Sequence, residues 1–185
     1  MHNFISLFSL KNLSIYFTLF LSLIIQGKAQ KWEEYLVKTA YIQKITSFIT
    51  WPEGIDISSS DRIVIGVAGE NPFGNKLNEF YRDNTILDKP VHIINVSNPS
   101  EVKKCHILFL SSSLSKELAD YLYETALHDI ISIGDTQGYA ERGVFFNLML
   151  AGNKIKLQVN YEAMRRNGFK VRSLLLQYAE LIGES

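Results

Sequence analysis

The sequence contains a single cysteine, Cys105, among its 185 residues. A lone thiol cannot form an internal disulfide, so the fold has to be stabilised without one. Cys105 begins the apolar, strand-like segment 105–110, and this setting favours a small buried side chain. A reactive thiol and an intermolecular bridge are the alternative interpretations.

Patterns of catalytic or metal-binding residues are also lacking. His92, His106 and His128 are scattered, without the paired His or Cys spacing of a zinc site. Cys105 and His106 are neighbours on a predicted strand, so their side chains point to opposite faces and cannot act as nucleophile and base. The turn at 111–113 lacks the glycines of a serine-hydrolase elbow. We therefore predict a non-enzymatic protein with no catalytic residue, no metal ligand and no cofactor. An envelope hydrolase is the weakest hypothesis, because its residues would have to come from distant parts of the chain.

Excess charge of one sign is missing as well. The chain has 19 basic and 19 acidic side chains. Without residues 1–29 it loses Lys11 and Lys28 and no acids, so 17 basic and 19 acidic side chains remain, a net charge of −2. Nucleic-acid binding and anionic membrane surfaces call for a clustered basic excess. We therefore expect no nucleic-acid partner.

An apolar segment does stand near the N-terminus. Residues 13–25 are mostly apolar, Lys11 precedes them, and Gly27 and Ala29 supply the small residues of a cleavage site. This segment is shorter than the span of about 20 residues that crosses a bilayer. We predict a cleavable signal peptide over 1–29, with cleavage near Ala29, and a single periplasmic domain over 30–185. A membrane anchor is the alternative.

Apolar periodicity predicts alternating strands and helices after the leader. The predicted elements are a helix over 32–49, a strand over 62–68, a helix over 73–81 capped by Asn71, strands over 91–96, 105–110 and 130–133, a helix that carries Leu114 to Leu122 behind hydroxyl caps at 111–113, a hairpin of strands 144–150 and 154–159, a short helix between Asn160 and Gly168, and a final helix after Ser173.

This order indicates an α/β fold with a mainly parallel sheet and helices on both faces, followed by a C-terminal antiparallel hairpin and helix. In the second hairpin strand, Ile155, Leu157 and Val159 alternate with polar residues. Such alternation predicts an edge strand with one solvent-facing side.

Three predicted loops, 70–74, 111–113 and 134–138, follow parallel strands, and open α/β sheets bind ligands at that edge. The glycines at 66–74 match neither a dinucleotide fingerprint nor a nucleotide loop. The helix start at Asn71 nevertheless offers free N–H groups that suit a carboxylate or phosphate. The predicted ligand edge consists of Asn71, Gly74, Ser111, Ser112, Gly134 and Asp135.

Arg165, Arg166, Lys170 and Arg172 form a basic cluster with two open interpretations. Arg165 and Arg166 complement the exposed carbonyls at the end of a short helix, or the cluster docks on an acidic partner surface. Asn147 is a polar residue inside an apolar strand. Such a residue more often satisfies buried backbone groups than binds a ligand.

Behind the predicted leader, a set of segments occurs in a fixed order, namely Phe48–Pro52, Ile65–Gly74, Cys105–Leu110, Ser132–Gly143, Phe146–Leu148, Val159–Asn160 and Arg165–Gly168. In this order they resemble the YfiR family of periplasmic proteins, over about Tyr35 to Leu181. Family members often carry further cysteines that form disulfides. The unpaired Cys105 counts against a redox-sensing role carried by such bridges.

The resemblance implies a non-enzymatic regulator that binds the periplasmic sensor region of an inner-membrane diguanylate cyclase and holds it inactive. Cyclic-di-GMP output would then be lowered, and this output, with biofilm behaviour, would respond to envelope conditions. The motifs leave open whether the partner is a cyclase, a histidine kinase or a transporter, and whether the chain forms a homodimer. The alternative function is a periplasmic small-molecule sensor or carrier that uses the ligand edge.

Overall fold

The computed structural model describes residues 33–53, 57 and 59–183. The chain divides into two units, Met1–Tyr35 and Leu36–Ser185. Helix α1 covers residues 33–46 of the described part. The predicted signal peptide lies outside the described residues, so it stays a prediction. None of the helices in the described ranges has both the length and the apolar character needed to cross a bilayer.

The strands, in chain order, are β1 (Ile49–Thr50), β2 (Ile63–Ala68), β3 (Val91–Val96), β4 (Ile107–Leu110), β5 (Ile131–Gly134), β6 (Phe146–Ala151), β7 (Lys154–Val159), β8 (Lys170–Val171) and β9 (Ala179–Leu181). The further helices are α2 (Lys76–Arg82), α3 (Leu118–Leu127), α4 (Tyr161–Arg166) and α5 (Ser173–Leu176), and 3-10 turns cover Pro99–Lys104 and Ser112–Leu114.

Within the described ranges, the main sheet has the strand order β3-β2-β4-β5-β6-β7-β9. Strands β3, β2, β4, β5 and β6 are parallel, β7 is antiparallel to β6, and β9 is parallel to β7. The fold is therefore α/β with a mostly parallel sheet and an antiparallel hairpin, as predicted. Strands β1 and β8 pair separately as a small antiparallel sheet.

The central strands are apolar on both sides because helices cover both faces of the sheet. On one face, Ala68, Val96, Leu108 and Leu110 pack in one cluster with α3 and the 99–104 turn. On the other face, Phe109 meets Phe73 edge to face, with ring centroids 4.7 Å apart. Alternating residues of each strand thus bury opposite surfaces.

The C-terminal end differs from the sequence prediction. The predicted final helix is a single turn, Ser173–Leu176, after which the chain returns as β9. Strand β9 pairs with β7, so β7 is an interior strand and its prediction as an edge strand was wrong. An edge strand leaves a row of backbone N–H and C=O groups unpaired, and such an edge readily accepts another strand. Strand β9 takes that position beside β7.

Other element boundaries shift where local hydrogen bonds compete with the predicted element. The first helix stops at residue 46, and Ile49–Thr50 forms β1 instead. Asn71 accepts the N–H of Phe73 in a turn, so it does not cap α2, which begins at Lys76. Cys105 ends the preceding 3-10 turn by donating its N–H to the carbonyl of Val102. Strand β4 therefore starts two residues later than predicted.

Cys105 packs against the sheet through a close approach to Gly66. The side chain is buried, and burial raises the pKa of the thiol to about 12, so the thiolate is disfavoured. This environment confirms the interpretation of Cys105 as a small buried side chain. A Cβ atom added at Gly66 would meet Cys105 Sγ and would lie 2.8 Å from Val96 Cγ2.

We expect Gly66→Ala to lower the free energy of unfolding by about 1–3 kcal/mol, because the added methyl group overpacks this contact. In the Cys105→Ala background the same change should cost less, since the sulfur atom is gone. Urea unfolding of the two single variants and the double variant measures the coupling. An equal cost in both backgrounds would show that the sulfur does not set the packing limit at Gly66.

Candidate functional site

The carboxyl ends of three parallel strands meet at one edge of the sheet. Ala68 is level with Leu110, and Leu110 is level with Gly134. Hydrogen bonds join the loops that follow these strands. The Glu70 N–H donates to Ser113 Oγ at 2.9 Å, and the Tyr139 hydroxyl donates to the carbonyl of Ser111 at 2.9 Å. The structure thus brings the three predicted loops together.

The individual ligand-edge residues serve mostly local contacts. Ser111 is buried and its Oγ accepts the N–H of Ser113, which caps the 3-10 turn as a hydroxyl cap was expected to do. The carbonyl of Ser112 accepts the hydroxyl of Ser115. The side chain of Asn71 makes hydrogen bonds within its own turn. It accepts the N–H of Phe73 and donates to the carbonyl of Gly74. The segment at Asn71, where a helix start with free N–H groups for a carboxylate or phosphate was expected, is therefore a turn.

Gly134 and Asp135 lie where the sheet edge meets α1. A Cβ at Gly134 would lie 2.8 Å from the ring of Tyr139, so the loop packs tightly there. Asp135 forms an ion pair with Lys38 of α1, with Nζ and Oδ2 2.7 Å apart. The two side chains are only 2% and 6% exposed, so the pair lies in the protein interior. Asp135 was predicted from the sequence as a residue of the ligand edge, whereas Lys38 was not.

Asn147 on β6 joins the same edge to the C-terminal strands. Its side chain accepts the N–H of Thr136 at 3.1 Å and donates to the carbonyl of Thr136 at 2.9 Å. It also donates to Gln158 Oε1, and Gln158 in turn donates to Glu180 on β9. Asn147 thus satisfies buried backbone groups, as its position within an apolar strand indicated.

A cleft of about 500 Å³ opens beside this edge. The strand order reverses at β2, and ligands of open α/β sheets bind at such a reversal. Gly69 after β2 and Leu114 after β4 both line the cleft. The remaining lining residues come from the end of β3 and the start of α3, namely Asn95, Val96, Ser97, Asn98, Pro99, Glu117, Asp120 and Tyr121.

Most of this cleft could not be found from the sequence. Apart from Gly69, its lining residues come from two segments, 95–99 and 114–121, whose proximity only the crossover of the chain creates. One signal was present, because Glu117, Asp120 and Tyr121 follow the three- and four-residue spacing of a helix face. That spacing does not indicate which residues lie opposite this helix face in the cleft.

The basic cluster is only partly neutralised. Arg165 and Arg166 both pair with Glu162, at 3.1 Å each. These cations hold the pKa of the Glu162 carboxyl below its usual value. Lys170 lies 3.8 Å from a carboxylate oxygen of Glu53, and the Arg172 guanidinium lies over the Phe48 ring. Arg165 and Arg166 do stand in the last turn of α4, as the helix-end interpretation requires.

Among the described residues, no group of three or more His, Cys, Asp or Glu side chains stands close enough to hold a metal ion. His106 has a structural environment instead. Its Nδ1 accepts the backbone N–H of Val64 at 2.9 Å, and its Nε2 lies 3.3 Å from the Ser60 hydroxyl. Burial lowers the pKa of His106 below 6.5, because the imidazolium is poorly solvated there.

The sequence matches the YfiR/HmsC-like family over residues 35–180, most of the described chain. The chain belongs to the YfiR/HmsC-like family. At family level this means a periplasmic regulator in cyclic-di-GMP signalling and a regulatory, non-enzymatic protein. None of the curated proteins matches the chain.

Three solved structures are similar in fold. They are the ABC domain in complex with L-Trp from Streptococcus pneumonia (10% identity, TM-score 0.51, 65% of this chain and 55% of that chain), a conserved domain protein from Vibrio cholerae (11%, 0.53, 80% and 59%) and CD0873, a substrate binding protein with adhesive properties from Clostridium difficile, in its ligand-free, open form (12%, 0.50, 66% and 55%). This YfiR/HmsC-like chain therefore spans little more than half of each. Identity at this level shows a shared fold alone.

Breaking the buried ion pair should destabilise this YfiR/HmsC-like domain strongly. We expect Lys38→Met or Asp135→Asn to lower the free energy of unfolding by about 3–5 kcal/mol, because each removes the opposite charge beside an ion that stays buried. The double variant should recover much of the loss. Urea unfolding measures all three, and Lys104→Met, which removes an exposed pair with Glu101, is the control that should change little. Strictly additive losses in the double variant would contradict the coupling.

Stability should rise with pH below neutrality because of His106. Its folded pKa is lowered, so the unfolded chain binds the proton more readily at pH values below 6.5. The folded state therefore loses stability as the pH falls below 6.5, until the folded histidine protonates as well. His106→Asn keeps an acceptor for the Val64 N–H and removes the titration. Urea midpoints between about pH 7.5 and pH 5 should slope less in this variant than in the wild type or in His92→Asn, an exposed control. Identical slopes would contradict the assignment.

Proposed function

We propose that this chain is a periplasmic regulator that binds the sensor region of an inner-membrane signalling protein and represses a diguanylate cyclase. The observation that carries the proposal is the family match over residues 35–180. Export would depend on the predicted leader, residues 1–29, with cleavage near Ala29.

The full chain, produced with an affinity tag and its own leader, should capture one inner-membrane protein from envelope extracts. Deletion of its gene should raise cellular cyclic-di-GMP, because a repressor would be lost. A matched strain that expresses the chain without residues 1–29 is the control, since it keeps the domain in the cytoplasm. Unchanged cyclic-di-GMP together with no captured membrane protein would overturn the proposal. Capture of a histidine kinase would instead change the class of the partner.

We further propose that the basic cluster of Arg165, Arg166, Lys170 and Arg172 contacts an acidic surface of that partner. These cations stand on α4, on β8 and next to it, and all four side chains belong to exposed or half-buried residues. Glu162 carries one negative charge against the two positive charges of Arg165 and Arg166, so these three side chains together keep a net positive charge. Opposite charge across an interface mainly accelerates association.

Two variants with opposite effects test this interface. Arg165→Gln combined with Arg166→Gln should weaken partner binding several-fold, because attraction to an acidic surface is lost. Glu162→Gln should strengthen binding, since it leaves both guanidinium groups unpaired. Association rates at low and high salt measure the effect, and thermal melting checks that each variant folds. Wild-type affinity in both variants would remove the cluster from the interface.

A small-molecule sensor is the second candidate function, and the cleft at the strand-order reversal favours it. The ligand edge of Asn71, Gly74, Ser111, Ser112, Gly134 and Asp135 is the neighbouring proposed site. Two of the solved neighbours carry names that refer to a ligand or substrate, L-Trp in one and an unnamed substrate in the other. Saturable thermal stabilisation by one compound of a metabolite panel would support this candidate. A flat panel would count against it.

A further inference from the structure

The cleft beside β3 is lined by both polar and apolar residues. Asn95 lies near the end of β3, Ser97 and Asn98 follow that strand, and Glu117 and Asp120 stand at the start of α3. The apolar part of the lining comes from Val96, Pro99, Leu114 and the Tyr121 ring. A volume of about 500 Å³ lies within the range of small-molecule pockets.

Tyr121 provides an unused hydrogen-bonding group in this cleft. The residue is only 4% exposed, and among the described residues its hydroxyl has no hydrogen-bond partner. The enclosed side-chain hydroxyls without a partner in the described ranges are those of Tyr81 and Thr136. The Tyr121 hydroxyl is thus not sealed in the core but reaches the cleft that its side chain lines. Burial raises the pKa of Tyr121, and the nearby Glu117 and Glu101 carboxylates raise it further, so the hydroxyl keeps its proton.

The cleft carries uncompensated negative charge. Glu101 is already committed, because it accepts the N–H of Ser97 and pairs with Lys104 at 3.0 Å. Glu117 and Asp120 are exposed and have no ion-pair partner among the described residues. The start of α3 contributes a partial positive charge of about 0.5, which is less than the two full negative charges of these carboxylates. The net field in the cleft therefore favours a cation.

The kind of cation follows from the donor set. A metal ion is disfavoured, because no group of three His, Cys, Asp or Glu side chains assembles in the described part of the chain. An ammonium group needs only a few acceptors, and two carboxylates with the Tyr121 oxygen supply them. The apolar lining residues of the cleft would bury a carbon skeleton next to that ammonium group.

We propose that this cleft binds a small organic amine, with its ammonium group at Glu117 and Asp120 and its carbon skeleton against Val96, Leu114 and Tyr121. The inference deepens the small-molecule candidate function, and it does not depend on the membrane partner. A protonated amine on an apolar chain or ring neutralises the two carboxylates, donates to the Tyr121 hydroxyl oxygen and buries its carbon atoms against the apolar lining residues.

Titration calorimetry of the full domain tests the proposal with defined probes. The amines are 2-phenylethylamine, cadaverine and agmatine, and the matched controls are 2-phenylethanol and 3-phenylpropanoate, which replace the ammonium group by a hydroxyl and a carboxylate. We expect saturable binding of at least one amine and none of the controls. The affinity should fall as the salt concentration rises from about 0.01 M to about 0.15 M, because exposed charges are screened.

Charge-neutralising variants locate the site. Glu117→Gln and Asp120→Asn should each weaken amine binding by up to about fivefold, and the double variant by about tenfold or more. Tyr121→Phe keeps the ring and should weaken binding about threefold to tenfold through the lost hydroxyl. Glu124→Gln removes the same charge from α3 outside the cleft and should leave the affinity unchanged. Thermal melting confirms that each variant folds.

Several results would overturn the inference. They are equal affinity for 2-phenylethylamine and 2-phenylethanol, wild-type affinity in the double variant, and no saturable binding of any amine at about 10 mM, well above a Kd of about 1 mM. Binding of a Lys-rich peptide without any of the amines would also overturn it, because the cleft would then be a protein contact. Amine binding together with no captured membrane protein and unchanged cyclic-di-GMP would leave this inference standing and remove the regulator proposal.

Discussion

The buried ion pair between Lys38 and Asp135 is the constraint on which the ligand edge of the sheet depends. Taking two charges out of water costs several kcal/mol for each ion, and only a close partner offsets that cost. The pair therefore holds α1 at a fixed place against the end of β5. The residues are 97 positions apart in sequence, so one interaction joins the start of the domain to its central strands.

A second set of bonds continues from that point to the C-terminal strands. Thr136 follows Asp135, and the Asn147 side chain accepts the backbone N–H of Thr136. Asn147 also donates to Gln158, and Gln158 donates to Glu180. Asn147 satisfies both the N–H and the carbonyl of Thr136, so these backbone groups are compensated inside an apolar sheet. The loop at Gly134–Gly138 is thereby fixed from both sides, while the cleft beside β3 keeps polar groups that no neighbour uses. Fixed loops next to free polar groups are what a binding site on a rigid scaffold requires.

Much of this fold could be predicted from local pattern, and the exceptions have physical causes. The apolar run of β2 and the turn at Gly152 are enough to predict their elements from local sequence. The capping role of the Ser111 hydroxyl and the structural role of the Asn147 side chain could be predicted in the same way. The last strand could not be predicted, because Leu174, Tyr178 and Leu181 have helical spacing while the pairing edge of β7 decides the outcome. Lys38 could not be assigned to the ligand edge from the sequence, because its partner Asp135 is 97 positions away. The cleft arises where two distant segments meet, so neither segment reveals it alone.

The position of β9 has a consequence for how the domain is completed. Strand β7 receives its neighbour from residues 179–181, and β1 receives its partner β8 from residues 170–171. Both sheets are thus completed by segments that follow their partner strands in the chain. A chain that emerges N-terminus first presents an open edge on β7 until residues 179–181 have emerged as well. During that interval the incomplete sheet is open to chaperones, or to pairing with a second nascent chain.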